Sequence, residues 1–353
     1  MKIVFTIAHM NLGGAQRVTY NLINWLRENT EAEVHLIVCS NHQDTECFDL
    51  SNIPHTIVSG GVFSRIGGIR RVLKKRKPDI LVTMGVPQAM FDVPACGGLG
   101  IRHVISERND PAHFGGKAIV RVISRFLMRF ADGYIFQTRE ARDYYGGRIA
   151  KNSTIIPNPL FNTDKMPLKR YEGGNTKTIV SVGRLHRQKN HHLLIMAFKK
   201  LAEKYPEYKL VIYGEGPERT NDEKLIESQE LDEKVFLPGA VSDLFNKIYD
   251  ASLFVLPSDF EGMPNALMEA MALGVPCIST DCPCGGPREL IESGENGILI
   301  PVGDESALVD SMIQLICNDE KREELGQNAM QIRETHNIDT VCRRWNEYFL
   351  TIK

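Results

Sequence analysis

Short β-branched runs recur along this chain with amphipathic stretches between them, and the rhythm breaks once and then restarts. Residues 2–8 form the first run, which ends at Asn11-Leu12-Gly13-Gly14; residues 15–28 then carry apolar side chains at helical spacing. Further runs follow at 34–40, 80–84, 104–106 and 134–137, with a helical stretch over 117–130. Parallel strands need long crossovers, usually helices, so this alternation predicts a parallel sheet covered by helices on both faces. Between 157 and 175 the pattern stops: Pro157, Pro159, Pro167, Gly173 and Gly174 sit among polar residues and read as a linker. It resumes with strands predicted at 178–182, 210–213, 235–237, 253–256, 276–279 and 297–300, a helix over 190–204, and helical sequence from 305 to 349. The chain of 353 residues thus reads as two α/β domains of Rossmann-like, doubly wound type. The first covers 1–163, a linker 164–175 and the second 176–335, with a terminal helix over 336–353 expected to pack back on the first. Ligands of open parallel sheets sit beyond the carboxyl ends of the strands. Two such sheets are expected to face a cleft suited to a two-substrate enzyme.

Composition closes other routes. At 42% hydrophobic and 24% charged residues, disorder and a membrane-embedded fold are excluded. No apolar stretch approaches the ~18 residues of a spanning helix. The N-terminal apolar run is too short for a signal peptide and no cleavage pattern follows it. Eight Cys scattered over this length make no disulfide framework, so the expected location is reducing cytosol. The net charge of −2 hides an asymmetry: residues 1–163 hold 20 Lys/Arg and 13 Asp/Glu, and residues 164–353 hold 22 and 31. A basic first half suggests an anionic partner for it, against the plainer reading of chance partition.

Three loops carry chemistry. In the first, Glu261-Gly262-Met263-Pro264-Asn265-Ala266-Leu267-Met268-Glu269 follows the strand at 253–256. Pro264 suits a first helical turn, Gly274 suits the position after the last, and the amides of Gly262 to Ala266 are expected to form an anion site at the helix start. Glu269 falls some 7–8 Å further along at 1.5 Å per residue. That offset suits one carboxylate near a diphosphate-linked group and a second on ribose hydroxyls. A solvated helix with an incidental Glu is the weaker reading, because an acid beside a phosphate site opposes binding unless it has a task. In the second loop, Gly183-Arg184-Leu185-His186-Arg187-Gln188-Lys189-Asn190 follows the strand at 178–182. Arg184 and Lys189 can converge on a pyrophosphate; a basic surface loop is the alternative. In the third, Gly13-Gly14 opens the first helix and permits close approach of a phosphate or sugar, although a tight turn explains it nearly as well.

Together these motifs resemble the family 4 glycosyltransferases, retaining enzymes of the GT-B fold. E-x7-E with its E-G-M-P-N-A-L core, G-R-L-x-x-x-K, and G-G-A-Q-R all match, with Gln16 where the family usually has Glu. Tyr213-Gly214-Glu215-Gly216-Pro217 and Leu237-Pro238-Gly239-Ala240-Val241 also match in type and order, so the resemblance covers nearly the whole chain. It implies that Arg184 and Lys189 hold the donor diphosphate and stabilise the leaving nucleotide. It further implies that Glu269 holds the ribose, that Glu261 sits near the transferred sugar, that Gly13 and Gly14 approach the donor, and that Val241 meets the base. The implied substrates are a nucleotide-sugar donor, UDP favoured, and a glycan or lipid-linked acceptor, with no cofactor. No Asp-x-Asp occurs, so no metal-carboxylate site is expected and leaving-group charge falls to Arg184, Lys189 and the helix end. A sugar-nucleotide epimerase, a phosphorylase or a non-catalytic binder on the same fold are the alternatives. Many relatives carry His where this chain has Arg108, which cannot be a base at neutral pH but could steady an anionic acceptor.

Lys117, Arg121, Arg125 and Arg129 recur every four residues, within about 120° of one helix face. This reads either as a core-facing helix with a solvated cationic edge or as a surface meeting lipid phosphates. The run Arg70-Arg71-Val72-Leu73-Lys74-Lys75-Arg76-Lys77 favours the second. The expectation is peripheral attachment to the inner face of an anionic membrane. Nucleic acid is not expected, because no aromatics interleave the basic residues. Cys282-Pro283-Cys284 reads as a turn, and His191-His192 as helix surface. His9 is a candidate for the missing His, with loop filling the commoner role.

Overall fold

The computed structural model describes every residue except 12, 41–47, 114–117, 162, 168–175, 242 and 353, and for Ala118 and Asp164 only the backbone. The chain separates into two compact units, Met1–Pro159 with Ile338–Lys353, and Leu160–Asn337. The changeover falls at Pro159, ahead of the expected 163, and most of the expected linker lies outside the described residues.

In the first unit β1 (Lys2–Ile7), β2 (Glu33–Val38), β3 (His55–Ile57), β4 (Ile80–Met84), β5 (Arg102–Ser106), β6 (Gly133–Phe136) and β7 (Ser153–Ile155) form one sheet in the order β3-β2-β1-β4-β5-β6-β7. In the second, β8 (Thr178–Val182), β9 (Lys209–Tyr213), β10 (Val235–Gly239), β11 (Leu253–Leu256), β12 (Cys277–Thr280) and β13 (Ile298–Ile300) are ordered β10-β9-β8-β11-β12-β13. Every pairing is parallel. In both sheets the order reverses beside a central pair, β1/β4 and β8/β11. This is the doubly wound topology, and its crevice opens at that switch.

The period of two explains why strands so apolar stay in place. Ile179, Leu253, Val255 and Ile278 point into one core with Leu194, Phe198 and Leu201 of the helix His191–Lys204. Their neighbours Val180, Phe254, Leu256 and Cys277 point into a second core with Leu267, Met268 and Met271 of the helix Asn265–Ala272. Both faces are covered, so no polar alternation survives in the sequence.

The helical sequence from 305 to 349 is not one run. It divides into Glu305–Ile316, Asp319–Ala329, Ile332–Thr335 and Ile338–Ile352. Asn318 is the cause of the first break, since its side chain accepts from the Lys321 N–H and caps a new helix. The last helix belongs to the first unit. Trp345 and Phe349 are fully buried, Phe349 meets Phe5 edge-on at 6.3 Å, and Trp25 donates to Asp339 at 2.7 Å.

The core of the first unit holds a polar knot. Asp92 accepts from Thr6 and Thr83, and the Thr83 hydroxyl also meets His103 Nε2 at 2.7 Å. Burial raises the Asp92 carboxyl from 3.8 to about 6 and lowers the His103 imidazole from 6.5 to about 4. Their linkage signs oppose. Folded His103 binds fewer protons than unfolded His103 between 4 and 6.5, so its contribution is lost as pH falls through that window. Folded Asp92 binds more, so its contribution is lost as pH rises towards 6. His103→Gln should therefore flatten the rise of melting temperature with pH across this range, and Asp92→Asn should steepen it. Thermal melts of both variants over a pH series provide the check; slopes that change together would contradict the signs.

Candidate active site

The second unit gathers five loops at the carboxyl ends of its strands. The one after β8 begins at Gly183, passes through a single 3-10 turn at Arg187–Lys189, and enters its helix at Asn190. Asn190 adopts the left-handed conformation (φ 46°), caps that helix by accepting from the Leu193 N–H, and donates to Asp259 at 2.7 Å. Asp259 follows β11, on the other side of the switch. Gln188 adds two bonds across it, accepting from the Asp259 amide and donating to the Phe260 carbonyl, each 2.8 Å.

These ties bring two of the three candidate catalytic residues together. Lys189 Nζ lies 2.5 Å from Glu261 Oε1, with side chains 19% and 7% exposed. The same oxygen accepts from Ser258 Oγ at 2.7 Å, and the Ser258 carbonyl accepts from Thr280 Oγ1. Sequence reasoning gave Lys189 and Glu261 separate tasks; the fold makes them a pair. It also overlooked Ser258, Gln188 and Asp259, whose signal was polar residues at the ends of two strands that become neighbours. Arg184 is exposed, and its side chain has no polar partner among the described residues. It stands where an anion can reach it.

The loop from Gly262 leads into the helix Asn265–Ala272, which is buried from Leu267 onward. Pro264 is its N-cap, not its first helical residue, because its ψ of 106° is extended. The first turn starts at Asn265, and the opening amides of that turn have no carbonyl behind them within the helix. Glu269 is buried, one turn in. The helix ends as expected: Gly274 has φ 77°, and Val275 N–H returns to the Ala270 carbonyl at 3.1 Å. Gly286 explains the small residues after β12, since a Cβ there would lie 1.6 Å from the Gly262 carbonyl. Cys282 and Cys284 line this turn, and burial pushes the Cys282 thiol up to about 12.

The Tyr213–Pro217 stretch buttresses the loop after β8. Gly183 N–H donates to the Tyr213 carbonyl and Leu185 N–H to that of Glu215, both at 3.0 Å. A Cβ on Gly214 would meet the Gly183 carbonyl at 2.0 Å. Val241, half-buried, follows β10. His191 is a correction: it is buried at 3% exposure rather than on the surface, and burial with Lys189 nearby lowers it to about 4. Only His192 is exposed. His191 shares the first turn with Leu193 and Leu194, which pack into the core.

In the first unit Gly13 caps the helix Gly14–Asn29 with an extended φ of 179°, so its conformation does not demand glycine. Gln16 Nε2 meets His9 Nδ1 at 3.2 Å, which gives that imidazole a structural partner. Arg108 is buried beyond β5. It donates to Ser106 Oγ at 2.8 Å and Asn158 Oδ1 at 3.2 Å and lies 4.8 Å over the Trp345 ring, while Nη2 has no partner among the described residues. Beside it Glu107, missed from sequence, accepts the amides of Arg108 and Asn109 and is raised by burial to about 7.

The basic stripe differs most from expectation. Lys117 lies outside the described residues. On the helix Ala118–Leu127, Arg121 and Arg125 are half-buried, and Arg125 donates to the Pro111 carbonyl and to the Tyr144 hydroxyl. Arg129 alone of the described three is exposed. Ser124 and Met128 face inward, and the outward residues are apolar. Among the described residues no helix is long and apolar enough to cross a membrane.

Two doubly wound sheets, with a helix start and a lysine–glutamate pair at the switch of the second, make the two-sheet scaffold of a glycosyltransferase. The family models agree: Glycosyltransferase Family 4 matches residues 12–160 and Glycosyl transferases group 1 matches residues 164–332. The chain belongs to the family 4 glycosyltransferases and has their GT-B fold. It is 28% identical, over 100% of its length and 99% of the relative, to a Campylobacter jejuni alpha-1,4-N-acetyl-D-galactosaminyltransferase named for a diNAcBac-PP-undecaprenol-linked substrate. It is 26% identical, over 98% of both chains, to a Haemophilus influenzae glycosyltransferase. Among solved structures, Anabaena HepE in complex with UDP superposes with TM-score 0.85 at 19% identity, covering 99% of this chain and 100% of that one.

The ion pair and the free guanidinium separate experimentally. Lys189→Ala strands a buried carboxylate and should cost about 3–5 kcal/mol of stability. The double variant Lys189→Met/Glu261→Gln should recover most of that stability and none of the activity. Arg184→Ala should melt like the parent yet lose on the order of 10²–10³ in turnover. Full turnover in the double variant would reduce the pair to scaffolding.

Proposed function

We propose that this enzyme is a retaining, metal-independent glycosyltransferase. It moves a hexose or N-acetylhexosamine from a nucleotide sugar, UDP-linked, to a polyprenyl-diphosphate-linked glycan on the cytoplasmic face of the cell membrane. The observation that carries the reading is the buried Lys189–Glu261 pair beside the start of the Asn265–Ala272 helix. It puts a cation, a carboxylate and a helix N-terminus within one crevice. The Campylobacter relative's lipid-linked substrate supports the acceptor class, and the UDP held by HepE supports the donor. Among the described residues no three His, Cys, Asp or Glu side chains are grouped to hold a metal.

In this reading the bond between the anomeric carbon and the diphosphate oxygen breaks while the acceptor oxygen bonds to the same face. The acceptor's proton passes to the departing phosphate. Arg184, Lys189 and the helix amides take up the charge developing on that phosphate. Glu261, fixed by Lys189 and Ser258, faces the sugar; Glu269 holds the ribose; Val241 meets the base through its backbone; Gly13 and Gly14 approach the donor. Arg108 steadies an anionic acceptor or the sugar.

Glu269→Gln should mainly raise the donor KM, because a ribose contact is made equally in ground and transition states. Glu261→Gln should mainly lower kcat. Swapped phenotypes would reverse the two roles. A panel of sugar nucleotides assayed for nucleotide release, with and without EDTA, tests donor and metal together. NMR of the product anomer tests retention. An inverted anomer, or activity abolished by EDTA, would overturn the mechanism.

A further inference from the structure

The exposed side of the Ala118–Leu127 helix is apolar where the sequence suggested a cationic face. Ile119, Val122 and Phe126 are 60%, 64% and 56% exposed, and Phe130, just beyond the helix, is 63% exposed and packs edge-on against Phe126 at 5.7 Å. At 100° per residue, Ile119, Val122, Ile123 and Phe126 span an arc of about 100°. A soluble monomer seldom leaves so continuous a stripe in water. No acidic residue occurs from 111 to 131.

The stripe runs into a cavity of about 510 Å³ lined by Arg129, Phe130, Arg148, Ile149 and the Gly146–Gly147 turn. Arg148 and Arg129 are both exposed, and Arg148 Nη1 donates to the Arg129 carbonyl at 3.4 Å. Both charged side chains of the cavity are guanidiniums.

We infer that this face docks on an anionic phospholipid bilayer, with the apolar stripe inserted at the headgroup–acyl boundary and the Arg129–Arg148 cavity receiving a lipid phosphate. An apolar arc edged by arginines, on a helix too short to span, is the composition of an in-plane interfacial helix. A second copy of this chain is the poorer occupant, because its like face would bring cations onto cations. The inference rests on the membrane reading above for its partner. It changes the physical basis of attachment from screened surface charge to insertion. Arg125 is held by Pro111 and Tyr144 and Arg121 is half-buried beside the apolar arc, so they are not the residues whose loss should release the protein.

The experiment is vesicle co-sedimentation of the full chain, without donor or acceptor. It compares phosphatidylcholine alone with phosphatidylcholine mixed with phosphatidylglycerol, across a salt series. The parent should bind the mixed vesicles, weaken with salt and keep a salt-resistant fraction, since insertion is not screened. Ile119→Gln/Val122→Gln/Phe126→Gln should lose affinity about a hundredfold with an unchanged melt and unchanged donor hydrolysis in solution. Arg129→Gln/Arg148→Gln should remove the preference for anionic vesicles and keep the salt-resistant fraction. Phe126→Trp fluorescence should shift to the blue on binding. No binding by the parent, equal binding by the apolar triple variant, or a dimer in light scattering that this variant abolishes would each overturn the inference. Loss of donor hydrolysis in the parent would instead overturn the transferase reading and leave lipid binding standing.

Discussion

Keeping a lysine and a glutamate together and nearly dry is costly unless every remaining polar valence near them is met. The second unit is organised around meeting that condition. Ser258 supplies the carboxylate's further donor, Thr280 braces Ser258 through its carbonyl, and Gln188 and Asn190 lash the β8 loop to the β11 loop. The ion pair spans the switch of the sheet, where the two loops diverge, and so closes the gap that the topology opens. The glycines of the neighbouring loops follow from the same crowding: backbone approaches backbone so closely at Gly214 and Gly286 that no side chain fits.

The first unit solves a different problem with similar means. Its sheet is as apolar, but its core admits an aspartate, two threonines and a histidine linked through shared hydroxyls. Beyond β5, Glu107 turns the chain by accepting two successive amides, and Arg108 is pinned by Ser106, Asn158 and Trp345. With three sides of the guanidinium occupied, its orientation is fixed.

The two sheets and their motifs were legible in the sequence because fully buried parallel strands leave unbroken β-branched runs. The loops at their carboxyl ends also carry residue types that few other constraints produce. What was not legible depended on which way an element turned. The spacing of Arg121 and Arg125 located a helix, but Arg129 falls in a 3-10 turn beyond its end. Only packing decides that Ser124 and Met128 go inward, that Arg125 folds back onto Pro111 and Tyr144, and that Ile119, Val122 and Phe126 are left outside. His191 fails for the same reason: a residue after a basic loop reads as surface, and only the packing of its helix shows it buried. Pro264 missed by one position, within the ordinary uncertainty of a helix start.

The terminal helix has a consequence for how the molecule comes into being. Trp345 and Phe349 complete the hydrophobic interior that Phe5 begins, yet all of Leu160–Asn337 lies between them in the chain. A ribosome therefore releases the second unit, an unbroken stretch, before it releases the residues that seal the first. The nascent first unit must hold its sheet with one wall unfinished, and the ring of Trp345 that will lie beneath Arg108 arrives only after the whole second unit. Assembly of the Arg108 corner must therefore wait until the whole second unit has been made.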